Sequence, residues 1–76
     1  MNNKRRDRLK TAIRYLEMAS DIVSEASEQE QDCLDNMPEN LQMSSRYEKM
    51  ETAIDCLDNA FSQIDDVISK IEESIE

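Results

Sequence analysis

The sequence predicts an all-α protein, a coiled-coil-like antiparallel two-helix hairpin that dimerises into a four-helix bundle. Three observations support this fold class. The 76 residues include no glycine and one proline, 36% of them are charged, and apolar residues recur at a helical period on both sides of the proline. Sheets need turn residues that this sequence lacks, whereas long helices and coiled coils have this composition.

We expect a single domain over residues 1–76, with helix 1 over about 3–35, a loop over about 36–44 and helix 2 over about 45–75. In helix 1, large apolar residues recur every seven positions, and small residues recur three positions later. These two columns are Leu9, Leu16 and Val23, and Ala12, Ala19, Ala26 and Cys33. Asn2 or Asn3 is expected to cap the helix, because an Asn side chain accepts hydrogen bonds from first-turn amides.

The break between the helices is predicted by Asn36-Met37-Pro38. Proline disfavours a helical residue before it and cannot extend the hydrogen-bond ladder. Residues 38–41 are expected to form one short turn with Leu41 directed inward. Ser45 and Glu48 then match a capping box, in which the Ser45 hydroxyl accepts the Glu48 amide and the Glu48 carboxylate reaches back. Ser45 is therefore the predicted cap of helix 2.

Helix 2 has large apolar columns, so its side chains can pack against the small column of helix 1. If the chain reverses near residue 40, facing residues have numbers that sum to about 80, which pairs Leu16 with Ile64, Ala19 with Phe61 and Met37 with Met43. The predicted helix–helix core consists of Leu9, Ala12, Ile13, Leu16, Ala19, Val23, Ala26, Cys33, Tyr47, Met50, Ile54, Leu57, Phe61, Ile64, Ile68 and Ile71.

The net charge of −9 is distributed unevenly. Residues 1–14 hold six basic residues and one acidic residue, whereas the other 62 residues hold three basic and seventeen acidic residues. Each cluster lies at the unfavourable end of its own helix dipole. Antiparallel pairing is expected to offset this by placing the basic start of helix 1 beside the acidic end of helix 2.

Two helices that touch along one line cannot cover apolar faces of this width. Tyr15, Ile22 and Ile75 flank the predicted core and are expected to form a second apolar strip. A twofold dimer that closes a four-helix bundle would cover this strip, so we predict a homodimer. A second, unknown protein partner is expected to bind at the loop end or on a flank.

The composition argues against catalysis. Without histidine the chain lacks the commonest general base and any Cys–His dyad. We therefore predict no enzymatic activity, no catalytic residue and no cofactor. The acidic residues at the end of helix 1 lack the Asp-x-Asp-x-Asp-Gly pattern of a calcium loop, so no metal site is predicted either.

The two cysteines are too few for a disulfide scaffold. Cys33 fits the small core column, while Cys56 flanks the core, and its reactivity across a dimer axis stays open. No apolar run is long enough to span a membrane and no leader opens the chain, so a cytoplasmic protein without membrane contact is expected.

Acidic residues recur every seven positions in two columns. They are Asp21, Glu28 and Asp35 in helix 1, and Glu51, Asp58, Asp65 and Glu72 in helix 2. One interpretation is the solvated face of an amphipathic helix. The alternative is a surface that imitates nucleic-acid phosphates and blocks a DNA- or RNA-binding host protein. Direct nucleic-acid binding is not expected, because the few basic residues have no aromatic residues among them.

The centre of the chain contains an Asp-Asn-[Leu/Met]-Pro-Glu-x-Leu-Gln loop followed by a Ser-x-Arg-x-Glu-x-Met helix start. The matching residues are Asp35, Asn36, Met37, Pro38, Glu39, Leu41, Gln42, Ser44, Arg46, Glu48 and Met50. In this respect residues 28–60 resemble a group of short hypothetical proteins of bacteriophages and prophages of Gram-positive bacteria. The resemblance implies a phage-type setting. The predicted function is a small non-enzymatic protein–protein interaction module, with the acidic inhibitor as the alternative.

Overall fold

The computed structural model describes all residues from Met1 to Glu76 and consists of two long helices packed against each other. Helix α1 spans Asn3–Asp35, one turn of 3-10 helix spans Glu39–Leu41, and helix α2 spans Ser45–Ile75. The chain forms a rod with extents of 60 × 14 × 13 Å. The predicted all-α hairpin is confirmed, and its helices begin and end where the sequence analysis expects them.

Hydrogen bonds at its two ends define helix α1. The Oδ1 atom of Asn2 accepts the amide of Arg5 at 2.8 Å, so Asn2 is the cap. At the other end, the Nδ2 atom of Asn36 donates to the carbonyl of Asp32 at 2.8 Å, and the Asn36 amide donates to the same carbonyl. The Asn2 side chain satisfies an amide that has no helical partner, whereas the Asn36 side chain adds a second hydrogen bond to a carbonyl that already accepts the Asn36 amide.

The loop is a compact turn that starts from Pro38. The Leu41 amide donates to the Pro38 carbonyl at 2.9 Å, and the Nε2 atom of Gln42 donates to the Met37 carbonyl at 3.5 Å. Leu41, which was expected to point inward, is exposed, and Met43 is 93% exposed rather than packed on Met37. The turn satisfies its polar groups locally and leaves these two apolar side chains outside.

The predicted cap of helix α2 is wrong by one residue. The Oγ atom of Ser44 accepts the Tyr47 amide at 3.3 Å, and Ser45 is already the first helical residue. The Ser44 hydroxyl also donates to the Leu41 carbonyl at 2.6 Å, which ties Ser44 to the preceding turn. With Ser44 as the cap, Glu48 is the fourth helical residue rather than the third, so its carboxylate is not placed for a capping box.

Three groups of facing residues establish the register between the helices. The Oγ atom of Ser27 donates to a carboxylate oxygen of Asp58 at 2.7 Å. One shallow hollow is lined by Lys10, Ile13, Glu72, Ile75 and Glu76, and another by Gln31, Leu34, Glu51, Ile54 and Asp55. Two residues that face each other across the helices thus have sequence numbers that sum to about 85, as Ser27 and Asp58 do. The predicted sum of about 80 is wrong. The chain therefore reverses near Gln42, between the 3-10 turn and the start of α2.

This register leaves the first two turns of α1 beyond the end of α2. Glu76 lies level with Leu9, so residues 1–8 form a basic overhang with no α2 residue beside them. Consistently, the hollow at this end is lined by no α2 residue, but by Met1, Arg5, Arg8, Leu9 and Ala12. Lys10 lines the same hollow as Glu72 and Glu76, whereas the overhang has no α2 residue beside it, so the predicted pairing of the basic start with the acidic end of α2 is wrong for the overhang.

The core is small, with only Leu34, Ile54 and Ile68 below one tenth exposed. Most other predicted core residues are half-buried, but Ala19, Cys33 and Phe61 are exposed and those three predictions are wrong. Helix α1 directs the column of Ile13, Ser20, Ser27 and Leu34 toward α2 instead of the column of Ala19 and Cys33. Burying Ile13 and Leu34 removes more apolar area from water than burying alanine does.

We expect Ser44→Ala to lower the free energy of unfolding by about 1 kcal/mol, because it removes the capping oxygen of α2. Ser45→Ala is the matched control and should change it by less than about 0.5 kcal/mol. Urea unfolding followed by far-ultraviolet circular dichroism, at one fixed protein concentration, measures both. A larger loss for Ser45→Ala would contradict the assignment of the cap.

Candidate interaction surface

The contacts that establish the register lie on one side of the hairpin, called here the polar side. Lys10, Gln31 and the Ser27 hydroxyl contribute from α1, and the acidic column of α2 lies opposite. That column is Glu51, Asp58, Asp65 and Glu72, all exposed. The other acidic column, Asp21, Glu28 and Asp35, is also exposed and flanks the same side of α1 at a wider angle. The two acidic columns thus form one continuous surface.

The opposite side of the hairpin is apolar. Because the helices run antiparallel, the columns on their other flanks share this side. They contain Ala12, Ala19, Ala26 and Cys33 of α1, and Ala53, Ala60 and Val67 of α2. Small side chains predominate, which would allow another helix to approach closely.

Helix α1 extends this apolar side outward. Tyr15 is 67% exposed and Ile22 is 65% exposed. Together with the alanines they alternate at three- and four-residue steps, as Ala12, Tyr15, Ala19, Ile22 and Ala26, which is a second heptad seam. The corresponding outer column of α2 is polar, with Lys49, Cys56, Gln63 and Lys70. The apolar surface is therefore centred on the second seam of α1.

The third predicted flank residue, Ile75, lies elsewhere. It is half-buried and lines a hollow with Ile13 and Lys10 on the polar side. Ile75 therefore belongs to the packing between α1 and α2 and not to the second apolar strip. The register explains the difference, since it moves the end of α2 toward the loop and brings Ile75 opposite Lys10.

The sequence analysis missed part of the exposed apolar surface. Val67 on the apolar side, Met18 beside the second seam, and Leu41 and Met43 at the loop are all exposed. Val67 continues the Ala53 and Ala60 column, so its spacing was a usable signal. Nothing in the spacing distinguishes the two loop residues from buried ones, because their exposure follows from the path of the turn.

The loop motif residues have mostly local partners. Asp35 accepts a hydrogen bond from the Nε2 atom of Gln31 at 2.9 Å, and Asn36 and Gln42 bond to backbone carbonyls as described above. Cys33 and Cys56 are free and exposed. No group of three carboxylate or thiol side chains converges where it would hold a metal ion.

Comparisons with protein-family models, with curated proteins and with solved structures found no match for this chain. Neither helix combines the length and the apolar composition that crossing a membrane requires.

The hydrogen bond between Ser27 and Asp58 predicts an energetic coupling. In a double-mutant cycle, Ser27→Ala and Asp58→Ala should couple by about 0.5–1 kcal/mol, because the acceptor is charged but exposed. The control cycle pairs Ser27→Ala with Asp65→Ala, one heptad further along the same column, and should be additive. Urea unfolding of the four proteins in each cycle measures the coupling, and equal coupling in both cycles would contradict the register.

Proposed function

We propose that this chain is a small non-enzymatic protein–protein interaction module of phage or prophage type that acts in the cytoplasm as a homodimer. Its apolar side packs on the same side of a second copy and closes a four-helix bundle. The single observation that carries this proposal is the exposed second seam, with Tyr15 and Ile22 each about two-thirds in water. A continuous apolar strip of this kind marks an interaction surface.

The dimensions of the hairpin suit this dimer. A long side of the rod, 60 × 14 Å between its Cα extremes, has a footprint of roughly 800 Å², which is about what each partner buries in a stable protein pair. Only three residues of the hairpin are buried. A chain of this size that buries so little gains stability by covering its apolar side with a partner.

A second protein would then bind outside the dimer interface. The loop end offers Met43, which is almost fully exposed, next to the exposed Leu41. A flexible thioether side chain adapts to partners of different shape, and methionines recur at such binding surfaces. The loop motif itself is fixed by local hydrogen bonds, so it would present Leu41 and Met43 in a defined geometry.

The acidic inhibitor is the second candidate function, and the continuous acidic surface of the polar side favours it. The charge density of the rod makes this function less favoured than the interaction module. A net charge of −9 along a 60 Å rod is one charge per about 7 Å, whereas duplex DNA carries one per about 1.7 Å. Phosphate imitation would therefore rely on local clusters rather than on the whole rod.

We expect Ile22→Lys to weaken dimerisation at least about 100-fold, because the twofold symmetry removes two buried isoleucines and inserts two charges. Met43→Lys makes the same change of charge at an exposed apolar residue outside the seam and should leave the dissociation constant nearly unchanged. Light scattering and sedimentation over a dilution series measure both. A wild-type chain that is a helical monomer throughout the micromolar range would overturn the proposed dimer.

Salt dependence separates the two candidate functions. With a host nucleic-acid-binding protein as the test partner, phosphate imitation predicts that the affinity falls steeply as sodium chloride rises from 50 to 500 mM, roughly tenfold or more. Docking through Leu41 and Met43 predicts little change, and Met43→Ser should then abolish binding at every salt concentration. Calorimetric titration of the wild type and of this variant measures the difference.

A further inference from the structure

We infer that the two copies pack head to tail, with the α1 helices antiparallel across the dimer interface and the basic overhang of each copy beside the acidic end of α1 in the other. This inference rests on the proposed homodimer and specifies its topology. The overhang comprises residues 1–8, and the acidic end comprises residues 32–40, which run from the last turn of α1 into the loop. Three features support the head-to-tail packing: the register within the hairpin, the charge at the two ends of the rod and the position of the second seam.

Two twofold arrangements bring the apolar sides of the hairpins together. In the parallel arrangement the loops lie at the same end of the bundle, and α1 of one copy packs on α2 of the other. In the head-to-tail arrangement the loops lie at opposite ends, and α1 packs on α1. All neighbouring helices are antiparallel in both, so helix dipoles do not choose between them.

The charge at the ends of the rod favours the head-to-tail arrangement. The overhang carries Lys4, Arg5, Arg6 and Arg8 with one acidic residue, Asp7. The parallel arrangement would place two such overhangs at the same end of the bundle, diagonally across from each other, and α2 of either copy ends too early to lie between them. In the head-to-tail arrangement each overhang instead lies along residues 32–40, which hold three acidic residues and no basic one. Opposite charges are thus paired at both ends of the dimer.

The whole rod has the same polarity. The half nearest the loop, residues 20–65, holds two basic and twelve acidic residues. The open half, residues 1–19 and 66–76, holds seven basic and six acidic residues. A parallel dimer would stack the two strongly acidic halves on each other, whereas a head-to-tail dimer stacks each acidic half on a nearly neutral one. Like charges that face each other across an interface oppose association.

The second seam independently favours contact between the two α1 helices. If α1 packed on α2 of the other copy, Tyr15 and Ile22 would lie beside the polar outer column that contains Lys49 and Lys70. If α1 packs on α1 with residue numbers that sum to about 41, Tyr15 meets Ala26 of the second copy, and Ile22 meets Ala19. Each large side chain then faces a small one, and the apolar surface continues across the twofold axis.

The hollow at the overhang fits the same pairing. Arg5 and Arg8 line it above an apolar floor of Leu9 and Ala12. In this register Arg8 lies level with Cys33 of the second copy, and Arg5 lies level with Asn36. Asp32 of the second copy is next to these positions, so its carboxylate is within reach of the guanidinium groups, while Asp35 lies on the polar side and acts only at longer range.

The native cysteines allow a direct test. Nitroxide spin labels are attached at Cys33 in the Cys56→Ser chain, and at Cys56 in the Cys33→Ser chain. Pulsed electron paramagnetic resonance then gives the distance between the two labels, while light scattering gives the mass of each labelled sample. The head-to-tail dimer separates the Cys33 labels by roughly 40 Å and the Cys56 labels by roughly 30 Å, at 1.5 Å per helical residue. A parallel dimer brings identical positions level, so the Cys33 labels would be less than about 25 Å apart across the bundle.

The outcomes separate the topology from the dimer itself. A dimeric mass with a Cys33 distance near 40 Å, longer than the Cys56 distance, supports the head-to-tail packing. A dimeric mass with short distances at both sites overturns the packing and leaves the homodimer standing. A monomeric mass for the unlabelled wild-type chain overturns both.

Charge reversal gives a second test, for which the two arrangements predict opposite changes in the affinity of the dimer. The double substitution Arg5→Glu and Arg8→Glu should weaken a head-to-tail dimer about tenfold, because each overhang then repels the acidic end of the other copy. Combining it with Asp32→Lys and Asp35→Lys should restore the affinity. In a parallel dimer the first pair of substitutions would instead relieve repulsion between the overhangs and tighten association, which would overturn the inference.

Discussion

The register between the two helices is the constraint on which the other features of this hairpin depend. It is fixed by the length of the turn after Pro38 and by the hydrogen bond from Ser27 to Asp58. A shift by one heptad would bring the basic overhang beside α2 and pair its charges within one chain. With the observed register those charges stay outside the hairpin and are available to a second molecule.

The small core explains why association with a second molecule matters for the stability of the hairpin. Two helices bury one stripe each, and here the stripe of α1 includes Ser20 and Ser27 in its middle. These hydroxyls add little apolar area, so the buried residues Leu34, Ile54 and Ile68 supply much of the hydrophobic contribution. On the apolar side, Tyr15, Ile22 and Val67 remain exposed. Folding and association are therefore expected to be coupled, so stability would depend on protein concentration.

The sequence predicted the fold class and the bounds of the helices, but not which serine caps α2 or which column of α1 is buried. Pro38, the absence of glycine and the apolar period were enough for the fold class and the bounds of both helices. The tandem Ser44 and Ser45 satisfy the same capping preference, and they are distinguished by two bonds of the Ser44 hydroxyl, which accepts the Tyr47 amide and donates to the Leu41 carbonyl. A seven-residue period also leaves neighbouring columns equivalent, so it did not reveal that Leu34 would be buried and Cys33 exposed.

The same geometry bears on where a further partner would bind. If the apolar side is covered by a second copy, the surfaces left in water are the acidic polar sides and the two loop ends. A head-to-tail dimer displays those loop ends about 60 Å apart, the length of the rod. One compact partner would then contact a single loop, whereas a partner with two spaced sites would gain from binding both at once. For the proposed dimer, the topology, more than the chemistry of any one residue, would therefore decide whether the chain binds one partner or bridges two.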